Sequence, residues 1–83
     1  MPHGRPTCRE EILRAFQRLE RRHGRKIFDL QDVVQEVQRA TDAYAESTIR
    51  THITSVMCAQ APVNHANASN ELDRVGRGRY RLR

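Results

Sequence analysis

Two groups of residues in this 83-residue chain carry side chains able to engage an anion. One is the C-terminal run Leu72-Asp73-Arg74-Val75-Gly76-Arg77-Gly78-Arg79-Tyr80-Arg81-Leu82-Arg83. Leu72 with Arg74, and Tyr80 with Leu82, follow the two-residue period of strands, while Gly76 and Gly78 allow the positive φ of a short turn. The run therefore predicts a hairpin with an arginine at its tip. A guanidinium presented there can fork onto phosphate oxygens or a guanine edge. The second group is Ser47, Arg50, Thr51 and Thr54, with His52 beside them, on the outer face of a predicted helix. Short hydroxyl side chains around one arginine let a helix approach a duplex closely and touch phosphates and base edges. A solvated amphipathic helix would carry the same pattern, so both readings stand for that face.

Catalytic and metal-binding constellations are weaker. Cys58 and His65, with Cys8 or His52, lack the paired short spacing of a zinc site, and no metal or cofactor is expected. Asn64-His65-Ala66-Asn67 is followed by no second histidine or acid cluster. The pairs Glu10-Glu11 and Asp29 with Asp32 sit at predicted helix starts, where capping and the helix dipole account for them. No catalytic residue, small-molecule substrate or enzymatic activity is expected. Cys8 falls in the first turn of a helix, where the dipole can lower a thiol pKa without implying a role, and Cys58 is expected as a small buried residue ending a helix. The aromatic residues are Phe16, Phe28, Tyr44 and Tyr80, too few to stack unpaired bases. Tyr80 is expected between hairpin and helices, and Tyr44 as a staple of a turn.

Three helices must position these groups. Thr7-Cys8-Arg9-Glu10 is a capping box, so a first helix is predicted over about 8–23, with Ile12, Leu13, Phe16 and Leu19 as its apolar stripe and Gly24 as its stop. Ile27-Phe28 suits a short strand beside the hairpin. Asp29 is the expected N-cap of a second helix from about Leu30 to Arg39, burying Val33, Val34 and Val37, with Phe28 and Val33 as a staple. After a turn at 41–45, a third helix is predicted over about 46–58, burying Ile49, Ile53, Val56 and Met57. Pro62 rules out a continuous helix, so residues 59–70 read as a connecting loop, and Met1 to Pro6 as a loose basic tail ahead of a domain over 7–83.

Composition narrows the partners. Fifteen basic residues oppose ten acidic ones, a net charge of +5, and such a balance favours polyanions through counterion release. The charge is segregated: residues 1–26 carry eight basic and three acidic residues, residues 27–46 one against five, and residues 47–83 six against two. A basic face and an acidic face should result. Two distant cysteines without an apolar leader fit a reduced cytoplasmic protein, nucleoid-associated when bound to DNA, and no stretch suits a membrane span.

Three helices, a short strand and an arginine-tipped hairpin, in that order from Thr7 to Leu82, resemble the winged helix-turn-helix superfamily. The segments Ser47-Thr48-Ile49-Arg50-Thr51-His52-Ile53-Thr54 and Arg74-Val75-Gly76-Arg77-Gly78-Arg79-Tyr80-Arg81-Leu82 are also similar to small bacterial winged-helix modules found alone or attached to restriction-type nucleases, some of which read N6-methyladenine in duplex DNA. The resemblance implies a mainly α fold with a small β-hairpin, and double-stranded DNA as partner. It makes helix three a recognition helix with Ser47, Arg50, Thr51 and Thr54 as contacts, and the hairpin a wing whose Arg77 and Arg79, with Arg74 or Arg81, meet the backbone or minor groove. A methyl reader needs apolar atoms beside a polar grip, which Pro62 and Val63 beside Asn64 offer, although that loop also suits mere packing of the wing. The acidic second helix departs from the family pattern. It leaves open a protein-contact domain or a targeting domain of a larger nuclease. A monomer is favoured, because no extra helix supplies a dimer seam.

Overall fold

The computed structural model describes residues 7–56 and 71–83, and the fold is mainly helical with one small antiparallel sheet. Helix α1 spans Cys8–His23. Its capping box is formed as predicted: the Thr7 hydroxyl accepts from the Glu10 amide at 3.2 Å, and the Glu10 carboxylate accepts from the Thr7 amide at 2.8 Å. At the other end Gly24 takes the left-handed conformation, φ 68°, and its amide donates to the Glu20 carbonyl at 2.9 Å. This is the αL stop that glycine makes without a Cβ penalty.

Strand β1 is the dipeptide Phe28–Asp29, and it runs directly into helix α2, Leu30–Ala40. Asp29 is the N-cap residue, yet its carboxylate makes no capping bond; it lies 3.7 Å from Arg79 instead. Helix α3 begins at Glu46 and keeps α geometry only to Thr51, after which His52–Val56 form a wider π-helical turn. The predicted single helix over 46–58 is thus interrupted, and its residues 57 and 58 lie outside the described region, as does the side chain of Val56. Local competition explains the change. The Thr54 hydroxyl donates to the Arg50 carbonyl at 2.9 Å and the His52 ring meets the Thr48 carbonyl at 3.1 Å, so two carbonyls of the i−4 ladder have side-chain partners in a segment rich in β-branched residues.

Strands β2, Leu72–Gly76, and β3, Arg79–Leu82, form the predicted hairpin, and the sheet order is β1-β3-β2. Leu72 pairs with Leu82, Arg74 with Tyr80 and Gly76 with Arg79, with an irregular step between Arg74 and Gly76. That step is where expectation and structure part: only Gly78 has positive φ, 71°, and the bulge lets Gly76 stay in the strand. Alternation along β3 sends Tyr80 into the core and leaves Arg79 and Arg81 exposed on the opposite face.

One core joins these elements. Ile12, Phe16 and Leu19 of α1 meet Val33, Val34 and Val37 of α2, Ile49 and Ile53 of the third helical segment, and Phe28, Leu72 and Tyr80 of the sheet. Phe16 and Phe28 pack edge to face with ring centroids 6.3 Å apart. Tyr44 and Leu82 pack half-buried against its margin.

Candidate nucleic-acid interface

Ser47, Thr48 and Thr51 are exposed along α3, opposite buried Ile49, and with His52 they line a shallow depression. The helical spacing read from the sequence therefore gives a hydroxyl-bearing outer face here. Thr54 departs from it: half-buried, it spends its hydroxyl on the Arg50 carbonyl. Arg50 is engaged on both sides. Its Nε donates to Glu46 one helical turn earlier at 2.8 Å, and its Nη2 donates to the side-chain carbonyl of Gln31 in the first turn of α2.

That first turn also meets the hairpin. The Leu30 amide donates to the Gly78 carbonyl at 2.8 Å, so the start of α2 touches Arg50 through Gln31 and the hairpin tip through the residue before it. Arg77 at this tip is exposed and has no ion pair among the described residues. Arg74, exposed on β2, shares the face of its cross-strand partner Tyr80. Asn64, and with it Pro62, Val63 and His65, lie outside the described residues, as do Met1 to Pro6.

Arg79 and Arg81 belong to a different place. With Arg25 and Lys26 from the turn after α1, they line a groove of about 580 Å³ whose carboxylates are Asp29 and Asp32. The guanidinium of Arg25 sits over the Phe28 ring, 5.1 Å from its centroid, a cation–π contact that fixes its position. Arg21 joins Arg25 and Lys26 along an adjoining depression. Sequence reading counted Arg25 and Lys26 only as charge and gave Gln31 no role. The stop at Gly24 followed by two cations, directly before a strand, was the available signal for the first pair; nothing local marks Gln31, whose partner is nineteen residues away.

The acidic segment proves largely occupied. Glu36 of α2 is 5% exposed and receives Arg18 Nε at 2.8 Å, Arg22 at 3.0 Å and Arg39 at 3.4 Å. Burial alone would raise its pKa, but the hydrogen bonds and charges of Arg18 and Arg22 together hold it below the usual glutamate range. Glu46 pairs with Arg50, and Asp29 faces Arg79. The predicted acidic face is therefore much reduced. Cys8, expected to feel the helix dipole, behaves oppositely: burial, then the charge of Glu11, pushes its thiol pKa up.

Among the described residues no group of three or more histidine, cysteine or acidic side chains gathers as metal ligands would, and no helix is long and apolar enough to cross a membrane. No curated protein and no solved structure matches the chain. Residues 7–82 match one family, described as Domain of unknown function (DUF7669), and over that span, from the capping box to the end of the hairpin, the chain belongs to this family.

Proposed function

We propose that this chain is a winged helix-turn-helix domain that binds double-stranded DNA, with α3 entering the major groove and the hairpin acting as the wing. One observation carries the proposal. Arg50 and the hairpin tip both make hydrogen bonds to adjacent residues at the start of α2, Gln31 and Leu30. A base-reading arginine and a backbone-reading tip thereby flank a single helix N-terminus, whose own amides favour phosphate. Ser47 and Thr51 complete the helix face, and Arg77 is the wing contact.

Arg50 does not have to break much to reach a base. Its pair with Glu46 is an exposed i,i+4 contact, worth only about 0.3–0.5 kcal/mol, against roughly 1–3 kcal/mol for a good bidentate contact to guanine. The protein-contact alternative is less favoured, because a basic partner would have to compete with Arg18, Arg22 and Arg39 for Glu36 and with Arg50 for Glu46.

Fluorescence anisotropy on labelled duplexes tests the proposal. Arg50→Ala should cost about 1–3 kcal/mol on a selected sequence and less on random DNA, whereas Arg77→Ala should weaken both alike. Equal losses from Arg50→Ala on every duplex would remove α3 as a base reader. The same titration with N6-methylated and plain adenine duplexes decides whether the mark is read: tighter binding of the methylated duplex is the expected result for a reader.

A further inference from the structure

The positive charge of this domain is not where the helix-three interface would need most of it. Arg50 is the one arginine of α3, and it is paired. Arg21, Arg25, Lys26 and Arg81 have no ion pair among the described residues, and Arg79 has only the loose 3.7 Å contact to Asp29, each partner being 66% exposed. All five line two depressions that share Arg25 and Lys26. We infer that this basic surface, on the outer face of the sheet, is a second site for a nucleic-acid backbone, and that it takes a duplex segment other than the one held by α3. The inference rests on the DNA-binding function proposed above and adds a second contact to it.

Its geometry is built. The register pairs Phe28 with Tyr80 and Asp29 with Arg79, so the residues that enter the core define the opposite face as outward. Arg79 and Arg81 stand two residues apart on one strand, about 6.7 Å, a spacing comparable to that of neighbouring phosphates along a strand. Strand positions hold guanidinium groups more rigidly than a tail would, which lowers the ordering cost of binding. The helical layer separates the two surfaces: α2 contacts both α3 and β1, and α1 contacts both the π-helical turn and β3. A straight duplex lying on α3 and the wing tip meets that layer before the outer sheet face.

An acidic polypeptide fits less well. Its carboxylates would have to enter a groove that already holds Asp29 and Asp32, whereas a duplex backbone stays at the rim, within reach of the guanidinium tips. Like charges pressed together repel, and that repulsion selects for the broader, stiffer polyanion.

A sandwich capture separates the outcomes. One duplex is fixed to beads, the whole chain is added, and a second, fluorescent duplex is recovered, with sedimentation used to show that the free chain is monomeric. The wild-type chain should recover the second duplex. The variant Arg79→Ser with Arg81→Ser, both exposed and so tolerated by the fold, should still bind the fixed duplex while recovery falls at least about tenfold through lost phosphate contacts. Arg25→Ser with Lys26→Ser should do the same independently, and circular dichroism confirms that each remains folded. Wild-type chain that binds the fixed duplex without recovering a second, or groove variants that recover it undiminished, would overturn the inference while leaving the helix-three interface intact. Polyglutamate binding that the groove substitutions abolish, without duplex recovery, would overturn it in favour of an acidic protein partner. Wild-type chain that binds no duplex would overturn both.

Discussion

Replacing Glu36 by glutamine should unsettle the junction of α1 and α2 more than any other single isosteric change in the described residues. The carboxylate is 5% exposed and shared by three guanidinium groups, of which Arg18 at 2.8 Å and Arg22 at 3.0 Å are the nearer. At an effective dielectric near 20, each charge pair at about 4 Å between centres is worth roughly 4 kcal/mol. Desolvation of the buried carboxylate offsets several kcal/mol of that sum. Arg22 and Arg39, 43% and 68% exposed, are further screened by water. An amide can still accept one of the hydrogen bonds. The net loss should be about 2 kcal/mol, and a domain of this size loses roughly 4–8 °C of Tm per kcal/mol, so Tm should fall by about 8–16 °C.

The pH dependence gives a second, independent check. Because the folded-state pKa of Glu36 is depressed, its contribution is present in full above the ordinary glutamate range and is lost as pH falls through the folded value. Urea denaturation followed by circular dichroism should therefore show wild-type chain and Glu36→Gln well separated at neutral pH and converging in acid. A difference below about 0.5 kcal/mol at neutral pH, the size of an ordinary surface change, would refute the clamp, as would a gap that does not narrow with acid.

Other consequences are smaller and equally direct. Thr7→Ala removes one half of the capping box and should cost about 1 kcal/mol in the same denaturation assay, while Glu10→Gln, which can still bond the Thr7 amide, should cost less. Gly78→Ala forces a side chain onto a φ of 71° with nothing within 4 Å to clash, so it should lose roughly 1–2 kcal/mol through backbone conformation alone, and Gly76→Ala should be milder because that residue lies in the strand. The Cys8 thiol, buried and raised in pKa, should react with a thiol reagent in the native protein far more slowly than after denaturation; equal rates would mean that the first turn of α1 is open.

The elements were legible wherever a local signal agreed with a global one. Thr7 and Glu10 mark the start of α1, Gly24 its end, and the valine spacing the buried face of α2, because each depends on residues within one or two helical turns. The hairpin was equally readable from its glycines and alternation. The π-helical turn was not, since it arises from side-chain bonds of Thr54 and His52 that compete with a ladder the apolar spacing alone would continue. The site was legible only in part. Ser47 and Thr51 face outward as their helical position required, but the partner of Arg50 comes from another helix, and the company of Arg79 and Arg81 comes from the turn after α1. Burial of Glu36 is likewise a tertiary fact: its sequence neighbours gave no hint that arginines from α1 would close over it.

DNA binding itself is tested most directly by titrating a labelled duplex with the wild-type chain across a range of salt concentrations. About four to six phosphate contacts predict a log–log slope of roughly −4 to −5, with binding well below high micromolar at moderate salt. No binding below high micromolar, or an affinity that ignores salt, would contradict the proposed function.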